Sequence, residues 1–503
     1  MNTQPPKRPW WKTTLKAAAL LAALILSLAV FAAVALSWTG RHDWARVKAD
    51  LTTRGEPLLL ATLMPPPIPD TRNFFADPMW DELADMVDAE ENGIPLKRPR
   101  LPKGERQLDG LDRHLTAGER ETLRAAFPEF MVQDNASIMT LIHPAFEAAL
   151  EGKPSEQRRT AEFILAVTDL TEPILSRLRV LAERPDARFG PGVYQFLESS
   201  MYHTSYHMRL VQLLQSRIWS EVTLGRTEEA HRDLVLLLRI PNTLVSMPFL
   251  ITGLIYLATE TLALDTLEST LSMSGWTESQ LKEIEHRLAG ANYPSAVATA
   301  LRGERGFQNQ FFEQLTNKNA SLADGNPTHE MWSGPIPSLW LSIFGAGEEA
   351  RRNSIYQNWI DVLDVASSKG LNARTFDIFN RDIKSLKDNW WNRFRYPITF
   401  IAIPNINAIA IASAQLQDKA AQARTACALE RYRLKLGEYP SELASLVPEF
   451  LPVIPTDIST LRPLIYRREG SGFQLWAPGW NEQNDEGAQD DGLWGKANAI
   501  KSG

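Results

Sequence analysis

An uncharged, apolar run near the N-terminus restricts the fold of this chain more than any other feature. The run extends from about Ala17 to Trp38, contains 22 residues, and lies between the charged residues Lys16 and Arg41. As an α-helix it would be roughly 33 Å long, which matches a bilayer hydrocarbon core about 30 Å thick. The sequence therefore predicts one transmembrane helix that anchors the rest of the chain to the lipid bilayer through residues 17–38.

The charges beside this run predict its orientation. Four basic residues and no acidic residue precede it, namely Lys7, Arg8, Lys12 and Lys16. Because positively charged flanks stay in the cytoplasm, we expect a cytoplasmic N-terminus with the bulk of the chain on the other side. The alternative is a cleaved signal peptide, since Ala33-Val34-Ala35 has the small-x-small pattern of a cleavage site. An apolar run longer than the usual length of roughly 7 to 15 residues favours an uncleaved signal-anchor.

Composition excludes several classes of function. Hydrophobic residues make up 44% of the chain and charged residues 22%, which is typical of folded globular domains. The first 40 residues hold four of the 53 basic residues and none of the 60 acidic ones, so the remainder is acidic. An acidic domain repels phosphate backbones, and we expect no nucleic-acid partner. The single cysteine, Cys427, excludes an intramolecular disulfide and a zinc site of the CxxC kind.

Helical periodicity dominates the middle of the chain. Apolar residues recur three and four positions apart from about Thr116 to Leu288, which predicts a helix bundle or helical array. Thr277 and Gln280 form a predicted capping box at the start of one helix. Two more uncharged runs, at 244–258 and 396–417, contain prolines or polar amides that oppose insertion into lipid. We expect both runs to form buried core helices.

Turn residues separate the predicted helices. Ser155 follows a Gly-Lys-Pro break and is a predicted N-cap. Gly225 and Ala230 have the spacing of a tetratricopeptide hairpin, but only one copy is visible. A solenoid needs about three stacked repeats, so a plain helical hairpin is the favoured interpretation.

The segments that flank this helical region differ from it. After the apolar run, WARVKADLTTRG predicts a short helix that ends at Gly55. The sequence MPPPIPD at 64–70 predicts an extended, polyproline-like strap, and residues 92–110 predict an exposed loop.

The C-terminal region changes from helical to mixed character. A helix is predicted to stop at Gly437, Ser441 to cap a short second helix, and two strands at 463–468 and 473–477 to flank a four-residue turn. The chain is thus expected to be mainly α, with a helical bundle or array body and a small C-terminal α+β subdomain with a β-hairpin. The predicted segments are a cytoplasmic tail and transmembrane anchor (1–40), a juxtamembrane helix with strap and loops (41–115), a helical domain (116–415), and an α+β subdomain with an acidic C-terminal loop (416–503).

Several of these segments resemble one group of uncharacterised bacterial single-pass membrane proteins. The resemblance is carried by ALERYRLKLGEYPSELASLVPEFLP and the Gly-Trp-Asn-x-x-Asn-Asp-x-Gly tail, and by the strap LLLATLMPPPIPDTRNFF with Pro69, Asp70, Asn73 and Phe74. ARFGPG (187–192) and ALRGERG (300–306) also match the group's patterns. The resemblance implies location in the bacterial inner membrane and no particular activity.

The last stretch of the chain, about 70 residues, is also distantly similar to the globular end of type II secretion major pseudopilins. In that family a helix, a Gly-x-Tyr-Pro turn and a small sheet precede an acidic calcium loop. The anchor here lacks the Phe-Thr-Leu-x-Glu motif of pseudopilins, and Ile458 and Leu461 replace an expected Pro and Gly. The resemblance therefore implies a local fold and not a pilus function.

The acidic tail is the strongest candidate metal site. Calcium prefers six to eight oxygen ligands, and the tail offers Asn481, Asn484, Asp485, Asp490 and Asp491. Their spacing is not that of an EF-hand, and a solvated acidic end is the alternative. Apart from this possible calcium, no cofactor is expected.

The remaining site signals are weaker. His203 and His207 lie four residues apart on a predicted helix, as two metal ligands would. No spacing in the sequence indicates the further ligands that a structural zinc needs, and a packed aromatic face accounts for the pair equally well. Glu304 and Arg305 in RGERG have two interpretations: a functional role, or an intrahelical or interhelical ion pair. No GxSxG nucleophile is present. We expect a non-catalytic interaction or scaffold protein; the alternatives are an enzyme whose site assembles from dispersed residues of the helical domain, and a pseudopilin-like secretion component.

Overall fold

The chain is mainly helical, as predicted. The computed structural model describes residues 10–80, 113–131, 136–189, 197–271, 273, 275–316, 334–371, 373–402, 406–478 and 500–502. The described helices are α1 (Trp10–Thr53), α2 (Ala117–Ala126), α3 (Ile138–Leu150), α4 (Pro154–Thr168), α5 (Glu172–Ala182), α6 (Leu197–Thr223), α7 (Thr227–Arg239), α8 (Leu250–Leu271), α9 (Glu278–Leu288), α10 (Tyr293–Thr316), α11 (Pro335–Asp364), α12 (Ala366–Lys369), α13 (Ala373–Asp388), α14 (Trp390–Arg395), α15 (Pro397–Ala402) and α16 (Ile406–Leu436). The described strands are β1 (Ile465–Glu469), β2 (Gly472–Trp476) and β3 (Ile500–Ser502).

The contacts divide the chain into two compact units. We call Met1–Thr62, Arg305–Trp359 and Arg381–Pro404 the anchor unit. We call Leu63–Glu304, Ile360–Asn380 and Asn405–Gly503 the body unit. The four predicted segments (1–40, 41–115, 116–415 and 416–503) were divided by chain order and not by contacts, and that division stays a prediction.

In the anchor unit, α1 is a single helix of 44 residues, long and apolar enough to cross a membrane. Its most apolar window has a mean hydropathy of 2.8, and none of that window is buried in the protein. The prediction of a separate short helix after the membrane is wrong, because α1 continues without a break to Thr53. Gly55 then ends it with a φ of +71°.

Helix α11 packs along α1 in the same direction. The Ser37 hydroxyl donates a hydrogen bond of 2.9 Å to the carbonyl of Ser342. Further along both helices Gly40 meets Gly347, and a Cβ atom at Gly40 would lie 2.8 Å from the Gly347 nitrogen. Gly40 is therefore required for close helix packing and does not act as a helix breaker.

The body unit is built around α6, which packs against α4, α7 and α8. Among the described residues, helix α8 is the other helix long and apolar enough to cross a membrane, with a mean hydropathy of 1.3 in its apolar window. Half of that window is buried, and α8 contacts α6 and α16 in the core. The predicted core helix over 244–258 is therefore present only from Leu250 onward. The predicted core helix over 396–417 is divided between α15 and the start of α16.

Local capping explains where several helices of the body unit begin. Thr277 and Gln280 form the predicted capping box of α9. Ser155 is not an N-cap, because Pro154 occupies the first turn of α4 and Lys153 takes the cap position, as the fixed φ of proline favours. Gly225, with a φ of +77°, joins α6 and α7 in a helical hairpin.

The C-terminal part of the body unit packs a small antiparallel sheet on α16. Helix α16 begins at Ile406 and ends before Gly437, whose φ is +82°. A 3-10 helix, Leu443–Leu446, replaces the short helix predicted to be capped by Ser441, and its N-cap is Glu442. Strands β1 and β2 form the predicted hairpin, and β3 pairs with β2. Because Glu469 pairs with Gly472, the turn has two residues and not four.

Candidate functional site

The residues predicted to bind calcium lie outside the described part of the chain. This holds for all five, Asn481, Asn484, Asp485, Asp490 and Asp491. The calcium site therefore stays a prediction.

His207 is a packed aromatic residue of the body unit. Its side chain is fully buried, its Nε2 lies 3.0 Å from the Thr243 hydroxyl, and its ring stacks on Trp80. The side chain of His203 lies outside the described residues. In the part of the chain that the structure describes, no three His, Cys, Asp or Glu residues form a group that could hold a metal ion.

The RGERG segment of α10 holds the chain that follows α1. In the anchor unit, the buried Arg305 donates hydrogen bonds from Nη2 to the Glu56 carboxylate at 2.7 Å and to the Pro57 carbonyl at 2.9 Å. Gly306 lies directly against the backbone of Leu60, since a Cβ there would come within 2.7 Å of the Leu60 nitrogen. Arg305 thus holds this segment through a structural ion pair, but the pair is neither intrahelical nor interhelical, because Glu56 lies beyond the end of α1.

The second half of the strap is held in the body unit by ARFG. The Asn73 side chain donates to the Arg188 carbonyl at 2.9 Å and accepts from the Arg188 amide at 2.8 Å. The Arg188 guanidinium donates from Nε to the Pro65 carbonyl at 2.8 Å. Phe75 stacks on Phe189 with 3.6 Å between the ring centroids. The ARFG residues thus bind the strap, through hydrogen bonds from Arg188 and ring stacking by Phe189.

A polar cleft lies between α5, α7 and α9 of the body unit. Its volume is about 260 Å³. The lining residues are Arg179, Ala182, Glu183, His231, Arg232, Val235, Leu236, Glu283 and Arg287. Three arginines and two glutamates therefore share this opening, and an anionic group can bind there beside positive charge.

The cations of the cleft differ in how far their charges are neutralised. Arg287 donates from Nη2 to the Glu283 carboxylate at 2.8 Å. Arg232 is exposed at the cleft, and its positive charge acts to lower the pKa of the buried Glu221. His231 lies 3.5 Å from Glu283. Partial burial lowers the pKa of His231, although Glu283 and Glu228 act in the opposite direction.

A buried charge cluster supports the inner wall of the cleft. Arg179 donates from Nε to Asp233 at 2.7 Å, and Arg217 donates from Nε to the other Asp233 oxygen at 2.8 Å. Arg217 also donates to Asp169 at 2.7 Å, and it lies 3.2 Å from Glu221. Burial raises the pKa of Glu221 to about 8, and the neighbouring Asp233 acts in the same direction. We call these five residues the body cluster.

Sequence reasoning did not find the cleft. Its charged residues come from three helices whose order in the chain carries no fixed spacing, and each is an ordinary member of an amphipathic helix. The only local signal is the alternation of apolar and charged residues in TEEAHRDLVLLLR, which predicts a helix and not a site.

Comparison with protein-family models, with curated proteins and with solved structures finds no match for this chain. The function must therefore be argued from the geometry alone.

Proposed function

We propose that this chain is a membrane-anchored interaction protein, whose α1 spans the bacterial inner membrane and whose body unit binds an acidic segment of a partner protein. In this proposal the N-terminus is cytoplasmic, α1 crosses the bilayer, and the body unit lies outside the cytoplasm. The observation that carries it is the cleft between α5, α7 and α9, which presents Arg232 to solvent beside Arg179 and Arg287.

The charge of the chain makes such a cleft selective. The protein as a whole carries a net charge of −7, so an acidic partner segment is repelled from most of its surface and attracted only where cations cluster. Arginine forms two parallel hydrogen bonds to a carboxylate, which gives both affinity and orientation. Val235 and Leu236 provide apolar contact beside these charges.

Site-specific photo-crosslinking in cells that express the full-length chain tests the proposal. A photoreactive amino acid at Val235 should give a reproducible protein adduct. The charge reversals R232E and R287E should abolish this adduct, because the cleft then repels carboxylates. The matched control is the same amino acid at Leu436, which is 54% exposed at the end of α16 in the body unit.

Two results would contradict the proposal. One is an adduct pattern at Val235 that equals the pattern at Leu436. The other is a specific adduct that persists after both charge reversals, since the partner would then not be recognised through its acidic residues.

The same cleft favours an enzyme as the second candidate. His231 lines the cleft, an imidazole is a common general base, and its Nε2 lies 3.5 Å from a Glu283 oxygen. A thermal-shift screen of small carboxylates and phosphates on the purified full-length chain would find a ligand of such a site. If H231Q abolished turnover of that ligand while leaving the Val235 adduct unchanged, the enzyme would be favoured over the docking protein.

A further inference from the structure

The anchor unit exposes a group of large apolar side chains on α11 and α14. Ile336 is 80% exposed, Leu339 61%, Trp390 75% and Phe394 52%. We call these four residues the apolar patch. Single exposed apolar residues are common on soluble proteins, but a contiguous group of them marks a surface that binds a partner or a membrane.

The apolar patch lies at the level of the apolar part of α1. Helices α11 and α1 run in the same direction, and Ser342 contacts Ser37, which is adjacent to the end of the apolar run. Ile336 precedes Ser342 by six residues, or roughly 9 Å along the helix. Ile336 and Leu339 therefore lie beside the apolar segment of α1 and not beside its polar C-terminal part.

Helix α14 is held at the same level. The Trp340 indole donates a hydrogen bond of 3.0 Å to the Phe394 carbonyl. Phe344 contacts the rings of Trp391 and Phe394, with centroid distances of 5.9 and 5.5 Å. The exposed Trp390 extends from the start of this short helix.

Charge follows the same arrangement. No charged residue occurs from Pro335 to Gly347, and Glu348 is the first. In α14 the exposed Arg393 lies beside the aromatic residues. Aromatic side chains concentrate where hydrocarbon meets headgroups, and arginine reaches from an apolar surface to lipid phosphates.

We propose that the apolar patch inserts into the interface of the same bilayer that α1 crosses, so that the anchor unit contacts lipid at two places. The favoured occupant is lipid and not a second copy of the chain, because Ile336 and Leu339 lie at the level of the exposed apolar side chains of α1. Interfacial elements of this kind bury their apolar face about 5–10 Å into the headgroup boundary. This inference rests on the proposed membrane anchor.

Fluorescent labelling of single cysteines in the full-length chain tests the inference. Cys427 is fully buried and can be replaced by serine. Ile336 and Trp390 are then replaced by cysteine one at a time, labelled with nitrobenzoxadiazole, and reconstituted in vesicles of phosphatidylethanolamine and phosphatidylglycerol. We expect a blue-shifted emission and a loss of intensity when the lipids carry a shallow doxyl group.

Two control positions on α1 separate failure of the inference from failure of the anchor. A label at Leu26 should be quenched by lipid with a deep doxyl group, since this residue is central in the apolar run. A label at Thr53, about 22 Å beyond Trp38 along the helix, should not be quenched by either lipid.

The possible results are distinct. Quenching at Leu26 without quenching at Ile336 and Trp390 would overturn the inference and leave the anchor intact. Absence of quenching at Leu26 would contradict the anchor itself. Cysteine crosslinks between copies at Ile336, together with no lipid quenching there, would assign the patch to a second copy and also overturn the inference.

Discussion

Each unit buries charged side chains: the body cluster in one, and Arg352 with the nearby Glu348 and Glu349 in the other. The two sets differ in how completely the charge of the buried arginine is paired. In the body cluster, Arg217 meets carboxylates of Asp169, Glu221 and Asp233. In the anchor unit, the fully buried Arg352 donates one side-chain hydrogen bond of 3.0 Å, to the side-chain Oδ1 of Asn309, and its guanidinium lies 4.8 Å from the centre of the Phe312 ring.

The pKa directions follow this difference in pairing. Burial opposes the charge of Arg217, but Glu221 and Asp233 outweigh it and raise the pKa of Arg217. Burial lowers the pKa of Arg352, and the nearby Glu348 and Glu349 do not fully compensate. A buried charge contributes to stability only where its partners replace the lost hydration. We therefore infer that the body cluster stabilises its unit, whereas Arg352 costs stability in the anchor unit.

The largest effect is expected from Asp233→Ala in the body cluster. The Asp233 carboxylate is fully buried and accepts hydrogen bonds from both Arg179 and Arg217. Its removal takes away one of the two carboxylates that both cations contact, Glu172 being the other, and the free energy of unfolding should fall by about 3–5 kcal/mol. Hydrogen exchange of the full-length chain should show lost protection in α5, α6 and α7. An unchanged exchange pattern would mean that this cluster does not stabilise the body unit.

An intermediate effect is expected from pH in the anchor unit. Burial raises the pKa of Glu348 to about 7, and only hydrogen bonds from Thr399 and the charge of Arg352 oppose this. The folded chain therefore holds this proton more tightly than the unfolded chain. Stability from this group is fully present below about pH 4.5 and is lost as the pH rises through about 7, by no more than about 3 kcal/mol.

Hydrogen exchange in α11 measures this pH dependence directly. Protection should be greater at pH 5.5 than at pH 8 after correction for the intrinsic exchange rate. Glu348→Gln keeps the shape of the side chain and removes its titration, so it should reduce the difference. Part should remain, because burial also raises the pKa of Glu349 to about 7. An identical pH dependence in wild type and variant would contradict the assigned role of Glu348.

Sequence patterns predicted what depends on near neighbours in the chain. Four features were predicted from contiguous residues alone: the apolar run of α1, the periodicity of the helices, the Thr277 capping box and the β1–β2 hairpin. Gly40 shows the limit of such reasoning, because its role is contact with Gly347, which lies more than 300 residues away in the chain. Since a helix sequence does not identify its neighbours, the cleft residues and the pairing of Arg217 with Asp233 could not be predicted.

The smallest effect, and the sharpest test of the comparison, is expected from replacing one arginine of each unit by methionine. Arg352→Met removes a buried cation that makes a single side-chain hydrogen bond, and methionine can occupy the space beside Phe312. Because burial raises the pKa of Glu348 and of Glu349 to about 7, both carboxyl groups are largely neutral at pH 5.5, and at that pH the anchor unit should keep its stability or gain about 1–2 kcal/mol. Arg217→Met is the matched control, and it should destabilise the body unit because it leaves Asp233 and Glu221 buried with fewer partners.

Hydrogen exchange in α11 for the first variant and in α6 for the second separates the two outcomes within one protein. Equal losses in both units would show that pairing does not decide whether a buried arginine stabilises this fold, and the contrast between the two clusters would then have no energetic meaning.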